Sequence, residues 1–189
     1  CLALLNEFNE NETLNIRYNI SERLGKLLTE YDPEEALDFL PDAISNAKAK
    51  NDEVKEIELL GYLALCCKKT GNYFGDVECV DNVLKKMKSG QEIETAILKT
   101  TKLSSLIDIG YCGEVINLID NDIMPVISSY LAKPKLSKSI PLGFLYDTWL
   151  RVYLELATAL TLQGNDRSFE VLTTFFEIIE KHKINDPLL

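Results

Sequence analysis

The stretch "ELLGYLALCCKKTGNYFGD", residues 58–76, decides how the chain is read. Leu60, Leu63, Ala64 and Cys67 recur at the three- and four-residue spacings of one helix face. Lys68 and Lys69 follow in a last turn, where cations complement the negative end of the helix dipole. Gly71 suits the left-handed conformation that commonly ends a helix. The stretch therefore predicts a helix, a tight turn and the start of a second helix. Neighbouring residues on a helix point about 100° apart, so Cys66 and Cys67 cannot both face one ligand. A structural zinc site takes four Cys or His ligands, and the chain has a single histidine. A P-loop needs a glycine-rich run, a following Lys-Ser/Thr and a preceding strand, none of which "KKTGNYFG" has. The cysteines are read as one core residue and one at its edge, with no cofactor or metal implied.

The same punctuation recurs outward from this stretch. Residues 13–31 place Ile16, Ile20, Leu24, Leu27, Leu28 and Tyr31 on one helical face. At "DPEE" Asp32 can cap, Pro33 suits the first helical position and Glu35 can close a capping box. The helix of 33–49 turns Ala36, Leu37, Leu40, Ala43, Ile44 and Ala47 inward, and Pro41 is expected to kink or break it. Residues 53–69 turn Val54, Ile57, Leu60, Leu63, Ala64 and Cys67 inward. Further helices are read at 75–88, at 91–109 behind a Ser89–Glu92 capping box, and at 113–131 with a bend at Pro125. A loop at 133–141 precedes helices at 142–163 and from an Asn165 or Asp166 cap to about 183. Residues 1–9 read as the end of another helix. No run alternates as a strand does.

Gly71, Gly110 and Gly164 each close an apolar helix, 39 and then 54 residues apart, the excess matching the 133–141 loop. Units of this size fall in the range of tetratricopeptide, HEAT and armadillo-like repeats. The expected fold is all-α, a right-handed stack of about four antiparallel helical hairpins forming a single domain over 1–189. One hairpin cannot bury its apolar face alone, whereas stacked neighbours share a core. A bundle of four antiparallel pairs is the rival. Cys1 in place of an initiating Met, and the abrupt "NDPLL" end, read as a piece of a longer protein.

A net charge of −10 opposes binding to phosphate backbones or anionic lipid. The most apolar stretch, Leu142–Leu162, carries Asp147, Arg151 and Glu155, so no membrane span is expected. The five cysteines are odd in number and lack CxxC spacing, which suits a reducing compartment, cytoplasm or nucleus.

Other residues carry chemistry only in outline. His182 as a general base would draw on Glu177 or Asp186, but no motif organises them, and a helix-end surface histidine is the reading taken. The acidic turns at 7–12 and 120–125 lack EF-hand spacing. "KKMK" (85–88) fits a helix end and "KPKLSK" (133–138) a loop in which Ser137 could be phosphorylated, as could Ser139 just beyond it. Aromatics gather near the carboxyl end at Phe144, Tyr146, Trp149, Tyr153, Phe169, Phe175 and Phe176. Tyr146, Trp149, Phe175 and Phe176 are the partner-binding candidates, because Phe175 and Phe176 cannot face one way and an exposed aromatic makes an anchor.

Two stretches resemble known families. "KTGNY" looks like the mid-repeat turn of a tetratricopeptide repeat, although Asp76 stands where that family has a small residue. "LLNEFNENETLNIRYNISERLGKLL", 4–28, resembles the helical-repeat region of the m-subunit family of eukaryotic translation initiation factor 3. Leu4, Leu5, Asn6 and Phe8, then Arg17 and Tyr18, carry that resemblance, and the family's winged-helix module is not apparent. The resemblance implies a non-catalytic scaffold subunit of a large cytosolic assembly, of the kind that includes proteasome-lid subunits. The function expected is protein–protein interaction with basic or helical segments. A HEAT-like nucleic-acid binder and an all-α enzyme are the alternatives.

Overall fold

Three short polar side chains punctuate the first part of the chain. Asp32, Asp52 and Asn72 each accept, through Oδ1 at 3.1 Å, from the amides of Glu35, Lys55 and Gly75. Each satisfies a first-turn amide that has no partner within the helix. They separate α1 (Glu10–Tyr31), α2 (Pro33–Ala49), α3 (Glu53–Lys69) and α4 (Tyr73–Leu84). The structure, a computed structural model, describes residues 10–133 and 140–182, and these are helical with no strand. The expected helix at 1–9 and most of the loop at 133–141 lie outside the described residues. The chain divides into two compact units, Cys1–Lys86 and Met87–Leu189.

In the first unit the pairings fix helix direction. Asn15 meets Lys50, Arg17 meets Asp42 and Gly25 meets Leu40, so α1 and α2 are antiparallel. Glu22 meets Lys55, Lys26 meets Glu58 and Thr29 meets Cys66, so α3 runs parallel to α1. Glu56 meets Lys86, so α4 returns antiparallel to α3. A Cβ on Gly25 would lie 2.8 Å from Leu40 Cδ2. Only glycine admits this approach of α1 to α2.

The described part of α1 buries only one edge of its expected apolar stripe, with Ile16, Leu24 and Leu28 half-buried. Ser21, Gly25 and Thr29, four apart, are the buried positions, whereas Ile20, Leu27 and Tyr31 are exposed. On α3, Val54 is exposed, and Glu56, Leu59 and Cys66 join Leu60, Ala64 and Cys67 in the interior. The physical reason is that α3 is flanked on both sides, so it has two buried faces where periodicity predicts one. The α2 helix runs unbroken through Pro41. That proline lies on its exposed side, where water can satisfy the carbonyl left without its amide.

The second unit comprises α5 (Glu92–Thr101), α6 (Leu103–Asp108), α7 (Cys112–Leu118), α8 (Met124–Ala132), α9 (Leu142–Leu162) and α10 (Arg167–His182). Buried Leu145, Val152, Leu156 and Leu160 of α9 join Leu103, Leu106, Val115, Ile119, Ile123 and Ile127 in its core. The helix expected over 91–109 is divided at Lys102. Thr100 and Thr101 hydroxyls donate to the carbonyls of Ile97 and Leu98, both at 2.7 Å, and so compete with the backbone ladder. The Ser89–Glu92 capping box does not form: Gln91 precedes the helix, and its Oε1 accepts from the Lys88 amide at 2.8 Å. Instead of a bend centred on Pro125, a π turn at Ile119–Ile123 joins α7 to α8. The Met124 amide reaches back to Ile119, widening the turn just before the residue that has no amide to give.

Two glycines within helices should respond oppositely to substitution. Gly25→Val should lower the urea-unfolding free energy by about 2 kcal/mol through overpacking against Leu40. Gly61→Ala should raise it by up to about 1 kcal/mol, since nothing lies within 4 Å of the added Cβ. A pH effect follows from Glu22, which Lys26 and Lys55 each approach at 3.0 Å. Burial pushes its pKa up, but hydrogen bonds from Lys55 and Lys26 outweigh burial and hold it below the ordinary value. A carboxyl depressed in the fold contributes its full stability above its unfolded pKa and loses it as pH falls through the folded one. Urea midpoints should therefore fall as the pH drops below about 4.3, and Glu22→Gln should flatten that limb.

Candidate functional site

The amino end of α10 is fixed by charge. Arg167 forks onto Asp120 of the π turn, Nη1 to Oδ2 at 2.6 Å and Nη2 to Oδ1 at 2.7 Å. That paired bond raises the guanidinium pKa further against a smaller opposing effect of burial. Asn165 Oδ1 accepts the Arg167 amide at 3.0 Å. From this anchor α10 buries Ser168, Val171 and Ile178 and half-buries Leu172, Phe175 and Ile179. Phe169 and Phe176, seven apart, share another face and are 73% and 61% exposed. Thr173 between them donates its hydroxyl to the Phe169 carbonyl at 2.8 Å, so that group is spent within the helix. Leu162, at the end of α9, is also exposed.

On α9 the rings form an edge-to-face ladder. Tyr146 and Trp149 lie 6.2 Å apart, and Trp149 and Tyr153 5.4 Å. All three are half-buried. Burial raises the Tyr153 phenol pKa. The buried Trp149 Nε1 meets no acceptor among the described residues.

The four aromatic candidates thus fall into two pairs. Tyr146 and Trp149 belong to the ladder. Phe175 meets Phe176 edge-on at 5.4 Å, with Phe175 half-buried and Phe176 outward. The sequence-based candidates leave out Phe169, although its seven-residue spacing from Phe176 was the available signal. They also leave out the α1 face of Ile20, Leu27 and Tyr31, which the hydrophobic pattern presents as core.

The polar candidates are engaged in structure. Asp120 holds Arg167, and Asp122 holds Lys99 at 2.5 Å. In the first unit a cleft of about 610 Å³ is lined by Lys48, Lys85, Lys86, Glu53 and Glu56, among others. Buried Glu56 receives Lys86 at 2.9 Å and Lys48 at 3.8 Å, so its charge is neutralised in place. No group of three or more metal-ligating side chains occurs among the described residues. The His182 side chain lies outside them.

Cys66 and Cys67 are both buried, where the sequence reading leaves one at the core edge. Cys66 Sγ donates to Thr29 Oγ1 on α1 at 3.3 Å, and burial pushes its pKa up. Cys67 faces α4 and hydrogen-bonds with the Cys79 side chain. Comparison with protein-family models, curated proteins and solved structures finds no match to this chain.

The exposed aromatics carry little packing load. Phe169→Ser with Phe176→Ser should change the unfolding free energy by less than about 0.5 kcal/mol each, whereas Leu145→Ala, at a fully buried position, should cost about 3 kcal/mol. Paired urea-unfolding curves measure both.

Proposed function

We propose that the chain is a non-catalytic protein–protein interaction scaffold, a domain or subunit of a larger cytoplasmic assembly, built as a stack of helical hairpins. The observation that carries this reading is a pair of apolar helix faces that no described residue covers. One is Ile20, Leu27 and Tyr31 on α1; the other is Phe169 and Phe176 on α10. Exposed apolar faces of this kind, set among polar residues, characterise interaction sites. Each face offers anchors at helical spacing, which suits a helical segment laid alongside. The net charge of −10 would draw basic partners into encounter. The parallel placing of α1 and α3, with α2 between them in sequence, supports the hairpin stack, since successive repeats repeat that direction. No helix of the described residues is long and apolar enough to cross a membrane. The resemblance of 4–28 to the initiation-factor m-subunit family supports the same scaffold reading.

The test is cross-linking of the purified chain in a cell extract, followed by peptide mapping. Cross-links should concentrate beside α1 or α10, and Leu27→Ser with Tyr31→Ser, or Phe169→Ser with Phe176→Ser, should remove them while far-UV circular dichroism stays unchanged. Cross-links confined to other surfaces, or unaffected by both double variants, would reject this reading.

A further inference from the structure

The α3–α4 corner places two thiols together at the wall of a cleft. Cys67 lies near the end of α3 and Cys79 in the middle of α4, both buried and both free. Their side chains are hydrogen-bonded to each other. Asn72 Nδ2 also approaches Cys67 Sγ, at 3.9 Å, while its Oδ1 caps α4. A Cβ at Gly75 would lie 2.9 Å from the same sulfur, so glycine keeps the space beside it open. Both residues line a cleft of about 390 Å³ whose wall includes Pro41, Ile44, Leu60 and Leu63. A small oxidant can enter such a cleft without unfolding the helices.

We propose that Cys67 and Cys79 are a redox-active dithiol that hydrogen peroxide closes to a disulfide across the α3–α4 hairpin. The two sulfurs have unequal roles. The hydrogen bond with Cys79 lowers the Cys67 pKa against the opposing effect of burial. The same bond, with burial, raises that of Cys79. Cys67 is the attacking sulfur, because the Asn72 Nδ2 donor approaches its Sγ at 3.9 Å and favours the thiolate, which is the nucleophilic form. Its sulfur attacks one peroxide oxygen and the O–O bond breaks. Hydroxide leaves, takes up a proton to become water, and Cys67 becomes a sulfenic acid. The Cys79 sulfur then attacks the Cys67 sulfur, the S–O bond breaks, and the hydroxyl leaves with the Cys79 proton as a second water. Two thiols have lost two electrons and peroxide has gained them. Cys66 takes no part, because it faces α1 and bonds Thr29.

The experiment treats the full chain with hydrogen peroxide, blocks residual thiols by alkylation and maps the peptides. The result expected is loss of two hydrogens, with residues 67 and 79 joined. Cys66→Ala should retain the bond, which separates the two adjacent cysteines, and Cys67→Ser should abolish it. In Cys79→Ser the intermediate should persist as a dimedone adduct at Cys67. In the untreated native chain, which needs no variant, Cys67 should alkylate on the order of tenfold faster than Cys66. A bond that disappears in Cys66→Ala, bonding only through Cys1 or Cys112, or equal alkylation of Cys66 and Cys67 would overturn the proposal.

Discussion

Thr29 is the residue on which the first unit turns. It is fully buried, yet each of its polar atoms has a partner. Its hydroxyl donates to the Gly25 carbonyl at 2.8 Å and accepts from Cys66 Sγ at 3.3 Å. Its carbonyl accepts from Lys69 Nζ at 2.9 Å. A buried hydroxyl is tolerated only when it is paired, so this set of bonds specifies the rotation of α1 and α3 together. With Thr29 inward, Gly25 and Ser21 must be inward too, about one and two turns earlier. Ile20, Leu27 and Tyr31, on the far side of the apolar stripe, then face away. With Cys66 turned toward Thr29, Cys67 is turned toward α4. The outward face and the thiol pair are both consequences of one polar contact.

The second unit reaches a similar outcome by other means. Its core is aliphatic, and charge pairs set its periphery: Asp120 with Arg167, and Asp122 with Lys99. Arg151 donates to buried Thr100 at 3.0 Å and ties α9 to α5. With the start of α10 anchored, Phe169 and Phe176 stand exposed, and Phe176 meets Phe175 edge-on. The acidic turn at 120–125 that could suggest a cation site is occupied by side-chain cations of the chain itself.

Much of the fold is legible in the sequence where short polar residues and glycines punctuate it. Asp32, Asp52 and Asn72 cap, and Gly71, Gly110 and Gly164 adopt positive φ, so the bounds of α2 and α3 can be read directly. Faces are less legible. The usual rule sends the apolar stripe inward, but on α1 close approach selects small side chains and a satisfied threonine instead. The division at Lys102 depends on hydroxyls that choose carbonyls over water, and the π turn depends on accommodation of Pro125. Neither has a periodic signature. Cys67 and Cys79 are brought together by the turn at Gly71, and no spacing motif announces them.

The orientation of α1 is the claim to test most directly. Single cysteines can be placed at Leu27 and at Ser21 in a chain whose Cys1 is replaced by serine, and their rates of thiol labelling under native conditions compared. The account predicts that Leu27→Cys labels as fast as an unstructured peptide and Ser21→Cys roughly a hundredfold slower, limited by local opening. Fast labelling at 21 with protection at 27 would contradict it.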